Sequence, residues 1–331
     1  MLQFYSEVRR PTLQELFSQK KIKKKVSVKK KKDMFLRSFW GKRRPHVALG
    51  RQIGRGSFGI VYLCTLDDHK TCVAKVVKIT TQNRDLLRNE AAIWKLLNHE
   101  NVCRLFETLE TKHQMTFVCE RLGETLRDRH VRMLKLGASP RMHTLVKGWI
   151  DIASALAYVH AQKVIHRDVK SENIFVDFVG EDSTQVRLKL SDFGLSKYEN
   201  AGDAHTAETG SYRFMSPEVI RHEKYNSKCD IYSMSLVFYE MLTFTAPFVT
   251  LSPIEAALLV ANEAKRPPLP PLPPSVDRML AACWSQAPAE RPTAHAVVQM
   301  LRGFSHRDLS FPSVQMGKAA STHAELCSRE A

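Results

Sequence analysis

The sequence predicts an α+β fold in which strands come first and long helices follow. Three observations carry that expectation. At 331 residues and 44% hydrophobic, the chain has the length and core material for one large domain or two lobes. Short apolar runs rich in β-branched residues cluster before residue 120, at Val47–Ile53, Val61–Cys64, Val73–Val77 and Met115–Cys119. Among them only Arg88–Leu97 has apolar residues at helical spacing, whereas Arg141–Ala161 and Asp230–Leu242 read as long, largely buried helices.

Charge and cysteine usage narrow the class. Residues 1–50 carry 15 Lys/Arg against 3 Asp/Glu, so +12 of the net +16 sits there and +4 remains for residues 51–331. The runs Lys20–Lys25 and Lys29–Lys32 repel themselves, and residues 1–45 are expected to be a disordered basic leader, with a short amphipathic turn at Leu13–Ser18. Such a leader suits an import receptor, an anionic membrane or an acidic partner, beside the plain reading of a solvated tail. Aromatics do not interleave with its lysines, which argues against nucleic acid. The 7 cysteines are scattered singly with no C-x-x-C, so neither a disulfide framework nor a zinc site is indicated. No run reaches the eighteen or so apolar residues of a membrane span, and Met1–Arg10 lacks a secretory pattern. A cytoplasmic or nuclear compartment without a transmembrane segment is the expectation.

The motifs begin at Gly54-Arg55-Gly56-Ser57-Phe58-Gly59-Ile60-Val61. Glycines let backbone N–H groups approach phosphate oxygens. A dinucleotide-binding unit uses the same spacing but needs a helix directly afterwards, and the β-branched run here argues against one. Lys75 lies inside the apolar strand Val73-Ala74-Lys75-Val76-Val77, a costly placement unless the charge is paired. Glu90, on the helical stretch, is the candidate partner; Lys78 and Glu100 read as surface charges. Next comes His166-Arg167-Asp168-Val169-Lys170-Ser171-Glu172-Asn173, which places an aspartate, a lysine and an asparagine in one short polar run. Asp192-Phe193-Gly194 follows the strand Leu188–Leu190, and Thr209-Gly210-Ser211-Tyr212-Arg213-Phe214-Met215-Ser216-Pro217-Glu218 follows that.

In this order the motifs resemble those of the eukaryotic protein kinases over about residues 46–304. The wording of residues 208–217 is most similar to the tyrosine-kinase-like serine/threonine kinases, the Raf-like, plant and protist group. The resemblance implies two lobes: a small antiparallel β lobe with one helix over 46–119, and a larger, mainly helical lobe over 120–304. It implies ATP and Mg²⁺ in the cleft and transfer of a phosphoryl group to Ser or Thr of protein substrates. Gly54, Gly56, Ser57, Gly59, Val61 and Ala74 would line the nucleotide, with Lys75 on its phosphates and Glu90 pairing that lysine. Backbone groups of Glu120 and Leu122 would hold adenine. Asp168 would orient the acceptor hydroxyl and take its proton, Lys170 would steady the γ-phosphate, and Asn173 and Asp192 would ligate the metal. Lysine at position 170 is the serine/threonine form, which argues against a tyrosine kinase but not against dual specificity. A scaffold whose leader docks a partner is the alternative of a different class.

Further expectations attach to single positions. Trp94 stands four residues after Glu90, where the family has a slimmer aliphatic, so this helix is expected to pack differently or move less freely. Cys119 is small, which leaves the space behind the adenine pocket open. Residues 177–187 read as an inserted surface turn. Thr206 and Thr209 are candidate phosphorylation sites that would pair with Arg167, and Ser211 would bridge Asp168 and Lys170. Asp230 resembles the brace of the catalytic loop, and Arg291 the partner of Glu218. Lys265, Pro268 and Pro271 fit K-x-x-P-x-x-P, a ligand of SH3 domains or plain structure. Residues 305–331 read as a short tail.

Overall fold

The computed structural model describes residues 46–56, 59–67, 70–179, 185–199 and 211–310. The leader, Ser57, residues 180–184 of the inserted turn, Thr206, Thr209 and the chain after residue 310 lie outside the described residues.

Five antiparallel strands form the small lobe: β1 (Val47–Gly56), β2 (Gly59–Leu66), β3 (Lys70–Lys78), β4 (Leu105–Glu110) and β5 (Gln114–Glu120), in the order β1-β2-β3-β5-β4. Alternation gives the sheet two apolar faces. Cys64, Cys72, Ala74 and Val118 form a small cluster on one, while Val77, Met115, Phe117 and Cys119 join the main core on the other. Helix α1 (Arg84–Leu96) buries Leu87, Glu90, Ile93 and Trp94 against that core. Arg84 and Arg88 donate to Glu110 at 2.7–3.0 Å, pinning its outer face to β4.

The large lobe is built on α3 (Met142–Ala161) and α5 (Lys228–Thr243), which follow the short α2 (Leu126–Lys135) and α4 (Pro217–Ile220) respectively. Every residue of α5 from Cys229 to Thr243 is buried, as its apolar sequence on all sides requires. Trp149 of α3 stacks on Phe238 of α5 with ring centroids 4.9 Å apart. Two small ladders carry the polar loops on this scaffold: β6 (Val164–Ile165) with β9 (Lys197–Tyr198), and β7 (Ile174–Val179) with β8 (Gln185–Leu190). Helices α6 (Pro253–Glu263), α7 (Pro274–Cys283) and α8 (Ala294–Arg302) complete the lobe. Two connections join the lobes. The chain runs on from β5, and the link ahead of β4 pairs with β8, where Leu190 donates to Asn101 and Cys103 donates to Leu190.

Two expectations meet a different outcome. Residues 177–187 do not form one turn, since 177–179 belong to β7 and 185–187 to β8, with Asp177 paired to Arg187. Beyond Phe304 the chain makes one more short helix, α9 (His306–Leu309), capped by Ser305 and Asp308, and Leu309 packs on the core. In the proline run Lys265, Pro268 and Pro271 are exposed, yet Pro267 and Pro273 are buried, Leu269 and Leu272 pack on the core, and Arg266 donates to Trp284 and Gln286. The run is therefore packed on one side, while Lys265, Pro268 and Pro271 face solvent. No helix among the described residues is long and apolar enough to cross a membrane.

Candidate active site

A cavity of about 810 Å³ opens where the sheet faces the large lobe, lined in part by Gly56, Gly59, Lys75, Glu90, Asp168, Lys170 and Asp192. The β1–β2 hairpin brings the glycines there. At Gly59 a Cβ would stand 2.4 Å from the Val76 carbonyl oxygen, and its φ of +145° is closed to other residues. At Gly56 a Cβ would meet nothing within 4 Å among the described residues. A bare backbone over open space suits a ligand that must come close.

Strand β3 sets Lys75 opposite Val61 of β2 and Phe117 of β5. Its ammonium lies 3.7 Å from Glu90 Oε1 and 3.4 Å from Asp192 Oδ1, so two elements far apart in sequence meet on one strand lysine. Burial opposes the Lys75 charge, but Asp192 and Glu90 outweigh it and raise its pKa. Burial likewise opposes the Asp192 carboxylate, and Lys75, the Gly194 N–H and His166 outweigh it, holding the carboxyl below the usual range. Glu90 goes the other way: burial pushes its carboxyl up to about 7 against the pull of Lys75.

The catalytic-loop candidates hang from α5. Asp230 is fully buried and accepts from the backbone N–H groups of His166 and Arg167 at 2.9 and 2.8 Å, with His160 Nε2 2.8 Å from the same carboxylate. That clamp holds Arg167 at φ 70°, and Asp192 is held at φ 62°; each such residue stores about 1–3 kcal/mol that the surroundings must supply. Asp168 then stands with Lys170 Nζ 2.8 Å from its Oδ2 and the Asn173 amide donating to the same oxygen at 2.8 Å. Because the Asn173 nitrogen is spent on Asp168, its carbonyl oxygen is the atom left for a cation. Ser211 lines the same cavity, but among the described residues its hydroxyl makes no bond to Asp168 or Lys170. Arg167 donates to the Leu195 carbonyl and to Tyr225. Glu218 and Arg291 form a buried two-bond pair at 2.7 and 2.8 Å.

Ala74 is buried opposite Val118, and Glu120 ends β5. Among the described residues the Leu122 N–H finds no backbone acceptor, which leaves a donor for a purine edge. Cys119 itself is buried near the end of β5. Trp94 is buried beside β5, with ring centroids 6.0 Å from both Phe117 and Phe193.

One group escaped sequence reasoning. Lys189 of β8 is buried and donates to Glu120 Oε2 at 2.7 Å, with Asp177 3.7 Å away, while Glu120 also accepts from the Arg104 N–H. Its signal was present: Leu188-Lys189-Leu190 sets a lysine in an apolar strand, the same rule that singled out Lys75.

The protein kinase domain model matches residues 47–301. The chain belongs to the protein kinase family. The kinase domain is 29% identical over 259 residues to the serine/threonine-protein kinase STY17 of Arabidopsis thaliana, covering 76% of this chain and 43% of that one. It is 27% identical over 301 residues to the serine/threonine/tyrosine-protein kinase HT1 of the same plant, covering 88% and 73%. Against the probable serine/threonine-protein kinase drkC of Dictyostelium discoideum it is 31% identical over 266 residues, covering 77% and 34%. The chain thus spans less than half of two of these three relatives. This plant and Dictyostelium kinship accords with the tyrosine-kinase-like group.

Proposed function

We propose that this protein transfers the γ-phosphoryl group of ATP to Ser and Thr hydroxyls of protein substrates. The observation that carries the reading is Asp168, whose carboxylate is fixed in the cleft by Lys170 and Asn173 at 2.8 Å each. A carboxylate held by two donors can orient an acceptor hydroxyl and take its proton, the demand that phosphoryl transfer makes of a protein. Lys75, tethered by Glu90, would bind the nucleotide phosphates, and Gly54, Gly56, Ser57 and Gly59 would cover them. Val61 and Ala74 would flank the base, with backbone groups of Glu120 and Leu122 holding its edge. Lys170 would steady the transferred group beside Asp168.

The carboxylate of Asp192, kept ionised, and the amide oxygen of Asn173 are hard donors that fit Mg²⁺. When bound there, the ion would supply charge neutralisation on the phosphates. The relatives' names support Ser and Thr as acceptors, and the name of HT1 keeps tyrosine as a second acceptor in view. The leader would dock an acidic partner, an anionic membrane or an import receptor, in the cytoplasm or nucleus, through its +12 charge.

The test is phosphate transfer from labelled ATP with Mg²⁺, followed by phosphoamino-acid analysis. Asp168→Asn should cut transfer by about 10²–10⁴-fold while nucleotide binding persists. Phosphotyrosine beside phosphoserine and phosphothreonine would establish dual specificity. Transfer that survives in Asp168→Asn would overturn the assignment of the base, and no transfer at all would favour a scaffold.

A further inference from the structure

We propose that Arg121, α2 and the turn leading into α3 form a surface that reads acidic side chains of the protein substrate, so that the acceptor hydroxyl lies in an acidic sequence. The inference deepens the serine/threonine kinase reading above and rests on it. Residues 121–141 carry 6 Lys/Arg against 2 Asp/Glu, a net +4. Residues 51–331 as a whole are also +4, so everything else after residue 50 is neutral overall. Both carboxylates of the stretch are already engaged. Asp128 accepts from the Thr125 hydroxyl at 2.7 Å at the start of α2, and Glu124 accepts from both Arg129 and Arg132. Arg121, Lys135 and Arg141 are exposed, with no carboxylate within 4 Å among the described residues. Arg132 and Lys135 also suit the dipole of the last turn of α2, but Arg121 and Arg141 lie outside the helix and gain nothing from it.

This surface adjoins the cleft. Thr125 bridges Phe175 of β7, and α2 packs on residues 171–173 at the end of the catalytic loop. The inner side of α2 is spent on the buried Glu240, with Arg127 at 3.1 Å and His130 at 3.4 Å. On the small-lobe side Arg55 and Lys78 line the cavity, and neither has a carboxylate within 4 Å among the described residues. The carboxylates nearby are already matched: Glu90 and Asp192 share Lys75, Asp168 has Lys170, and Glu172 has Arg127 and Lys170 as cationic neighbours. An entering acidic peptide thus meets unpaired cations on both sides of the cleft, where a low-dielectric wall strengthens their summed field. Guanidinium groups add two-point geometry for a carboxylate. The leader, at +12, is repelled by such a surface, so the occupant comes from another chain.

The test uses the full chain and two serine peptides that differ only in carrying Glu or Gln on both sides of the acceptor. In the unaltered protein kcat/KM for the Glu peptide should exceed that for the Gln peptide about tenfold, through KM, and the margin should shrink to about threefold as salt rises from about 0.05 to 0.3 M. The triple substitution Arg121→Gln, Lys135→Gln, Arg141→Gln should raise KM for the Glu peptide about tenfold, with kcat, KM for ATP and KM for the Gln peptide held within about twofold. If the triple does not fold, Arg121→Gln with Arg141→Gln takes its place. Equal kcat/KM for the two peptides in the unaltered protein would overturn the proposal. So would a Glu preference that survives the triple, since the leader is still present there and would own the acidic contact. An unchanged peptide KM with lost binding to anionic vesicles would assign the surface to lipid instead and overturn it too. Anisotropy of the labelled peptides with ADP and Mg²⁺ reads binding without turnover. A Glu preference in binding that the triple removes, in a protein that transfers no phosphate, keeps the acid-reading surface and loses the kinase activity.

Discussion

At 4% exposure, Glu90 sits where burial and an ion pair pull its proton in opposite directions. Its Oε1 has no hydrogen-bond partner among the described residues, and Lys75 is 3.7 Å away, so burial wins and the carboxyl titrates at about 7. The sign for stability follows from linkage. A carboxyl raised from its ordinary value of 4.5 favours the fold fully below 4.5, and that contribution is lost as pH rises through 7. Catalysis runs the other way, since the pairing with Lys75 needs the ionised form. The kcat/KM for ATP should therefore rise through a step near pH 7, and Glu90→Gln should remove the step and leave a low, flat profile. Identical profiles for the two proteins would refute the role. Sequence reasoning found Glu90 from helical spacing and charge, but its titration depends on burial, which spacing does not report.

Elements decide which glycines matter and which lysines are paired. Gly59→Ala would drive a Cβ into the Val76 carbonyl from a conformation closed to alanine, so it should destabilise the β1–β2 hairpin by about 1–3 kcal/mol or more in urea unfolding. Gly56→Ala meets open space among the described residues and should leave the midpoint unchanged while weakening nucleotide binding. If both behaved alike, the distinction between fold-required and ligand-required glycine would fail. The Lys189–Glu120 bond joins β8 to the end of β5, with both side chains largely buried. Lys189→Met should cost about 1–3 kcal/mol, and adding Glu120→Gln should cost less than the sum of the two singles. A strictly additive double substitution would mean that the two groups do not interact. The strands and long helices were legible because their apolar periods are local. The partner of Lys189 and the ring neighbours of Trp94 were not, because each depends on what another element delivers to the same spot.

At the scale of the whole molecule, charge and fold should be separable. Residues 1–45 carry +12 of the +16, and the kinase family match begins at residue 47. Deleting residues 1–45 should leave the unfolding midpoint and peptide turnover unaltered. The same deletion should abolish binding to vesicles rich in anionic lipid, binding that in the full chain weakens as salt rises past about 0.1 M. Equal vesicle binding by the two chains would move the basic contact into the domain.

What the sequence by itself determined was the order of parts: glycine hairpin, strand lysine, helix glutamate, Asp168 with Lys170 and Asn173, then Asp192. Each is written in adjacent residues whose chemistry is costly unless used, so a reader of the chain alone meets them in turn. Tertiary structure alone decided their meeting distances, the raised proton affinity of Glu90, the pairing of Lys189 with Glu120 and the seat of Trp94 between Phe117 and Phe193. Those depend on groups tens of residues apart sharing one low-dielectric volume, and packing of that kind is set by the closed fold rather than by local pattern.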